Sequence, residues 1–406
     1  EARAHAPHPA IAVVPEGPAS PTTVTAHLGG RTREVPLHRR KRLPVSAHVE
    51  GPAIIAEDNA TTVVEEGWGA VVLPDGALRL DRTGTPPRPN ATTAADPVML
   101  EIFNNLFMSV AEQMGARLEA TAQSVNIKER LDFSCALFDA AGHLIANAPH
   151  MPVHLGSMGA TVQEVLRRRG GSLRPGQAIA VNDPYHGGTH LPDVTVVTPV
   201  FDDDGASPAA VAPASGGGGS AGDAGADEPR LLFFVASRGH HAEIGGLTPG
   251  SMPAFSTTLA EEGVLFDDWL LVEGGRFREA ETEALLRSTP HPSRDPATNL
   301  ADLRAQVAAN AKGVDEVRAM IAHFGLDVVQ AYMRHVQDNA EEAVRRVIDR
   351  LGDGQYDYET DTGAHIRVAV TVDRAARTAT IDFTGTSPQL ATNLNAPAAV
   401  TTAAVL

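Results

Sequence analysis

The 406-residue chain contains a single cysteine, Cys135, so an intrachain disulfide and a zinc site built on several thiolates are both excluded. A reducing compartment follows as the expectation. No run reaches the roughly 18 apolar residues of a membrane-spanning helix, and the opening EARAHAPHPA lacks the basic-then-apolar order of a signal peptide. Positive charge is also short: 33 Lys and Arg stand against 50 Asp and Glu, a formal net charge of -17 that would repel a phosphate backbone. The one basic run, His38 to Arg42, reads as a solvated loop. No Gly-x4-Gly-Lys-[Ser/Thr] phosphate loop occurs, so this stretch alone is not expected to hydrolyse ATP. These absences point to a cytoplasmic protein with neither nucleic acid nor membrane as partner. What is present is a 43% hydrophobic complement, enough for two or more cored domains.

The expected fold class is α+β: a small N-terminal all-β unit, then a mixed α/β domain with antiparallel hairpins and a helical segment. Residues 1–83 carry short alternating runs such as Thr22 to Leu28 and Ala70 to Leu73, punctuated by turns like Pro74-Asp75-Gly76. A Pro-rich linker occupies 84–95, and a second domain fills 96–406. That domain opens on Asp96-Pro97, an N-cap followed by proline, and then repeats apolar residues at helical spacing from Met99 to Met114. A hairpin is expected at Phe133 to Ala146 and a helix from about Gly159 to Arg168. Further helices are expected over Asn299 to Lys312, Gly313 to Phe324 and Leu326 to Leu351, and two strands within Ile366 to Phe383. The most strand-like runs are Val194 to Phe201 and Leu231 to Ser237. Between them 202–229, rich in Gly, Ala, Ser and Asp, has the composition of a disordered excursion from a hairpin tip. The chain begins at Glu1 and stops at Leu406 within an apolar pattern, so it reads as an excerpt of a longer protein.

Chemistry concentrates where that hairpin would open. Asn182 to Thr195, NDPYHGGTHLPDVT, leads into one strand with His190 and Asp193, while Ser237-Arg238-Gly239-His240-His241-Ala242-Glu243 leaves the other. Pairing Val200 with about Leu232 sets Asp193 opposite about Gly239, at a strand separation of about 4.8 Å. Two imidazoles and a carboxylate then converge, a donor set that suits Zn, Mn or Fe and leaves open positions for water or substrate. Gly187-Gly188 and Gly245-Gly246 flank the set and permit tight bends. The bland alternative is a group of turn and capping residues. His150 and His154 sit four apart, but Pro149 and Pro152 argue against a helix showing both, so their place in or beside the site stays open. Cys135 lies in an apolar strand pattern and reads as a buried structural thiol, not a nucleophile. Glu129-Arg130 reads as an ion pair or clamp; Glu261-Glu262 reads as support for the ligands or a solvated turn.

The ordered set Asn126 to Cys135, His150 to Met158, Asn182 to Asp193, Ser237 to Gly246 and Gly250-Ser251-Met252-Pro253 resembles the hydantoinase B family, as do Asn299 to Gln306 and Asp382-Phe383-Thr384-Gly385. Gly51-Pro52-Ala53-Ile54-Ile55, Thr61 to Val64 and Gly67-Trp68 are similar to the C-terminal β segment of hydantoinase A. That order, A-end then B-start on one chain, resembles the fused ATP-dependent 5-oxoprolinases. The resemblance implies the hydrolase half of an enzyme that opens a lactam or other cyclic amide, with activated water attacking a phosphorylated carbonyl. It implies a divalent transition metal (Zn, Mn or Fe) on His190, Asp193 and His240, with His241, Glu243 and His154 in catalytic or proton-transfer roles beside it. It also implies ATP and Mg held by an actin-like A-type core outside this sequence, a hydantoinase A-type domain in cis, a small cyclic amide as substrate, and a homo-oligomer. The alternatives are an acetone or acetophenone carboxylase-type subunit and a non-catalytic fragment.

Because the excursion leaves the far end of the hairpin, deleting Gly205 to Asp227 is expected to leave metal content and turnover unchanged; loss of either in metal analysis and assay reverses the hairpin's orientation.

Overall fold

The computed structural model describes residues 20–28, 31–84, 91–147, 151–202 and 229–406. The chain divides into two compact units, Glu1–Pro89 and Asn90–Leu406. Most of the expected excursion after Asp202, part of the Pro-rich linker, and His150 lie outside the described residues.

The first unit is all β. Its strands are β1 (Thr22–Leu28), β2 (Arg31–Arg39), β3 (His48–Glu50), β4 (Ala53–Ala56), β5 (Thr61–Val64), β6 (Trp68–Val72) and β7 (Leu78–Arg82). They form two sheets, ordered β1-β2-β4-β5 and β3-β6-β7. Alternate residues Ala53, Ile55, Val64 and Ala70 share a small core with Val49, as period-two side chains must when one sheet face is covered.

The second unit contains α1 (Pro97–Thr121), α2 (Val125–Lys128), β8 (Phe133–Asp139), β9 (Leu144–Asn147), α3 (Pro152–Arg169), β10 (Ala178–Val181), β11 (Asp193–Phe201), β12 (Leu231–His240), α4 (Leu259–Glu262), β13 (Trp269–Glu273) and β14 (Arg276–Phe277). It continues through α5 (Glu279–Arg287), α6 (Pro296–Phe324), α7 (Leu326–Ile348), β15 (Gly354–Glu359), β16 (His365–Asp373), β17 (Thr378–Asp382) and α8 (Ala398–Val405). Strands β8 to β14 make a seven-stranded sheet, β14-β13-β10-β11-β12-β8-β9, with antiparallel neighbours. Helices cover both faces, which is why β11 is buried along its whole length and reads as a near-continuous apolar run.

The alternation along β8 and β12 shows how the layers are assigned. Cys135, Leu137, Phe233 and Val235 face a core shared with Phe103, Phe107 and Met114 of α1, Ala309 of α6 and Tyr332 of α7. Their neighbours Ala136, Phe138, Phe234 and Ala236 face Met158, Val162 and Val165 of α3. Successive Cβ atoms point to opposite faces, so one strand serves two cores. The N-terminus of α1 is closed by Asp96, whose carboxylate accepts from the Val98 and Met99 amides at 3.0 and 2.9 Å.

Three elements differ from the sequence expectation. Helix α3 begins at Pro152, not near Gly159, because a proline in the first turn needs no intrahelical N–H partner. The stretch expected as two helices meeting at Lys312 is the single helix α6, since Gly313 lies on a face where a Cβ would strike Met114 and its cost is offset by close packing. On α7 the apolar stripe is buried through Val336, but Val344 and Val347 are exposed as the helix runs past the core. Among the described residues no helix is long and apolar enough to cross a membrane.

Cys135 is fully buried, and desolvation pushes its thiol pKa well above the ordinary value. The thiol form therefore persists through neutral and mildly alkaline pH. Iodoacetamide at pH 8 is expected to leave Cys135 unmodified in the native protein and to label it fully in denaturant, as read by intact mass.

Candidate metal centre

Strands β11 and β12 pair with Asp193 directly across from His240. The expected register was one residue away. The ladder skips Leu232 at a bulge between Val200 and Phe201, and that extra residue moves every later pair by one. Directly opposed residues share a face, so the carboxylate and the His240 imidazole meet, while His241 takes the other face.

His190 reaches the pair from the loop before β11. Asn182 anchors that loop: its amide donates to the Leu191 and Val264 carbonyls at 2.8 and 2.9 Å and accepts from the Phe266 amide at 2.7 Å. Gly187 has φ +87°, and a Cβ there would lie 2.8 Å from Ala160 backbone; one on Gly188 would lie 2.6 Å from the Asp183 carbonyl. Only glycine lets the loop lie this close to α3. The Asp193 amide then donates to the His190 carbonyl at 3.1 Å, turning both side chains inward. The His190 and His240 rings stand 4.9 Å apart between centroids.

The two oxygens of Asp193 are treated unequally. Oδ2 accepts from Thr189 Oγ1 at 2.5 Å, and lies 3.1 Å from His190 Nδ1 and 3.4 Å from His154 Nε2. Oδ1 is buried and has no partner among the described residues. An unpaired charged acceptor in the interior costs about 1–3 kcal/mol or more, a cost that a cation at this oxygen would offset. His190, Asp193 and His240 each offer a ligand atom, all within 4.8 Å of one another. Nitrogen and carboxylate donors in this number fit a divalent transition cation with open positions. Asp132, His154 and Asp193 form a second such group sharing the same carboxylate. Asp132 escaped the sequence reading; its position just before β8, the strand paired with β12, was the signal available.

Electrostatics follow from burial and contact. Burial alone would raise the Asp193 pKa, but the bonds and charges of His154 and His190 overcome it and hold the carboxyl well below its usual range. Burial opposes charge on His190, yet Asp193 outweighs it and the net shift is upward. At His154 burial wins and the pKa is lowered. Beneath the group lies Arg238, completely buried, donating to Thr195 Oγ1 at 2.7 Å, Ser157 Oγ at 2.5 Å and Thr161 Oγ1 at 2.8 Å. Burial pulls its pKa down to about 10, with the Asp193 charge acting in the opposite sense.

The remaining candidates divide. His154, on the first turn of α3, is inside the cluster, with Nδ1 3.0 Å from Ser134 Oγ. His241 is buried against α6, 3.3 Å from Gln306 Oε1 and 3.1 Å from Asn299 Nδ2, and desolvation lowers its pKa. Glu243 accepts from the Gly245, Arg294 and Asp295 amides and from Ser293 Oγ, so it ties loops together; these bonds outweigh partial burial and lower its pKa. Glu261 closes the capping box of α4, and Glu262 accepts from Ser256 Oγ.

With this geometry in hand, comparison with known proteins places the chain. Residues 96–406 match the family described as Hydantoinase B/oxoprolinase. The 5-oxoprolinase 1 of Arabidopsis thaliana is 41% identical over 98% of this chain and 31% of its own length. The 5-oxoprolinase of Dictyostelium discoideum is 40% identical over 92% of this chain and 28% of its own. This sequence thus spans about a third of the length of the curated relatives it matches. The crystal structure of an ATP-dependent caprolactamase from Pseudomonas jessenii shares the fold, with a TM-score of 0.62 at 24% identity over 77% of this chain and 50% of that one. The chain belongs to the hydantoinase B/oxoprolinase family.

Proposed function

We propose that this chain carries the hydrolytic half of an ATP-dependent enzyme that opens a lactam or related cyclic amide. The observation that carries the reading is the divided role of Asp193, one oxygen held by three neighbours and the other buried with no partner among the described residues, in a group where His190 and His240 offer nitrogens within 4.8 Å. The relatives' names, 5-oxoprolinase and caprolactamase, supply the substrate class.

His190, Asp193 and His240 would hold a divalent transition cation, with Asp132 at its edge. When bound, that cation supplies Lewis acidity and fixed positive charge. The protein's own groups prepare the place. Thr189 and His154 fix the carboxylate through Oδ2, so Oδ1 needs no reorientation. Ser134 holds His154 from behind. Arg238 offsets part of the negative charge while its hydrogen bonds join β12 to α3. His241 and Glu243 steady the backbone after His240 and lie outside the group, His241 because it faces α6 on the other side of the strand. In the overall reaction, phosphorylation of the amide oxygen by an A-type ATP-binding part makes the ring carbon electrophilic. Water adds there, the ring C–N bond breaks with its electron pair and a proton passing to nitrogen, and a second water hydrolyses the resulting acyl phosphate to carboxylate and phosphate.

The whole protein should convert 5-oxoproline to glutamate with matched release of ADP and phosphate. Inactivity with every lactam tested removes the proposal, and bicarbonate-dependent ATP use with a ketone replaces it with the carboxylase reading. His190→Ala and His240→Ala should each abolish stoichiometric cation by elemental analysis and reduce turnover to background. His154→Ala should lower cation affinity or activity by about 10–100-fold, and an unchanged value would separate His154 from the centre.

A further inference from the structure

In the structure both ring nitrogens of His240 are already engaged. Nδ1 lies 2.8 Å from Asn126 Nδ2, and Nε2 lies 2.9 Å from Ser251 Oγ. An imidazole nitrogen has one in-plane position to offer, so His240 can ligate a cation only if one of these partners withdraws.

The two partners are held differently. Asn126 belongs to the short helix α2, whose turn is closed by the Lys128 amide on the Ser124 carbonyl at 2.9 Å and the Asp132 amide on the Asn126 carbonyl at 2.9 Å. Its neighbour Ile127 is completely buried. Ser251 lies in the segment 247–256. That segment is fastened at its base, by the Leu247 amide on the Glu261 carbonyl and by Ser256 Oγ on Glu262, and further along by the Asn393 amide on the Pro253 carbonyl. Within it Gly250 has φ +102° and open space where a Cβ would stand, while Met252 is 48% and Phe255 90% exposed. Moving Ser251 breaks one neutral hydrogen bond and little packing; moving Asn126 disturbs a buried turn.

We propose that Ser251 is a positioning residue of the centre: its hydroxyl holds Nε2 of His240 while no cation is bound and yields that nitrogen on binding, with Asn126 keeping the ring oriented through Nδ1. Segment 247–256 thereby senses whether the centre is filled. The exposed Met252 beside Ser251 then changes position when the centre is loaded. The inference rests on the reading of His240 as a ligand.

The test measures Zn2+ affinity of the whole protein, stripped of metal, against a chromophoric chelator, together with hydrogen exchange of 247–256. Ser251→Ala removes the competitor, and one neutral hydrogen bond corresponds to a gain of roughly two- to tenfold in affinity. Ser251→Thr, which keeps the hydroxyl, should stay near the unaltered value, and Asn126→Ala should bind more weakly. Zn2+ should speed exchange of the segment in the unaltered protein and leave it unchanged in Ser251→Ala, where exchange is already fast. Equal or weaker Zn2+ binding by Ser251→Ala, or exchange indifferent to Zn2+ in the unaltered protein, overturns this inference and leaves the proposed function standing. Absence of Zn2+ binding that His240→Ala weakens overturns both.

Discussion

The site depends on the direct pairing of Asp193 with His240 across two buried strands. A carboxylate this deep is held ionised only by what surrounds it. Here Thr189, His154 and His190 crowd one oxygen, and the other has no partner among the described residues. Asp302 shows the same asymmetry, with the Gln123 and Ser124 amides on one oxygen and none on the other. What distinguishes Asp193 is that His190 and His240 each offer a nitrogen within 4.8 Å of it.

The architecture around it serves this pairing from several directions. The sheet contributes Asp193 and His240 at neighbouring strand ends, the glycine-bearing loop pressed against α3 contributes His190, the first turn of α3 contributes His154, and the residue ahead of β8 contributes Asp132. Arg238 is the common fastener. Its buried guanidinium links β11, β12 and α3 through hydroxyls. A hydrogen bond to a charged group of this kind is typically worth about 1.5–3 kcal/mol, so the proposed cation site and the local fold rest on the same interactions.

The family relation and the geometry speak to different scales. Kinship with oxoprolinases covers the whole of the second unit, whereas the chain matches only about a third of each long relative. The proposed chemistry therefore divides: activation of the amide belongs to an ATP-binding part, and ring opening to the centre described above. The proposed centre, with three protein donors and a neighbouring segment resting on His240, suits a role in receiving an intermediate.

Much was legible in the sequence because it depends on local periodicity. The apolar repeat of α1 behind Asp96-Pro97, the Val, Thr and Phe runs of β11 and β12, and the clustering of His190, Asp193 and His240 near one hairpin mouth all follow from residue order and spacing. Tertiary structure decided the remainder. A bulge at Leu232 set the register, and strand alternation then sent His240 to the carboxylate and His241 to α6, a choice that two adjacent histidines do not reveal. Asp132 joins the centre, and Ser157 and Thr161 meet Arg238, through contacts between segments distant in the chain. Such contacts are fixed by how sheets and helices stack, which no stretch of residues records by itself.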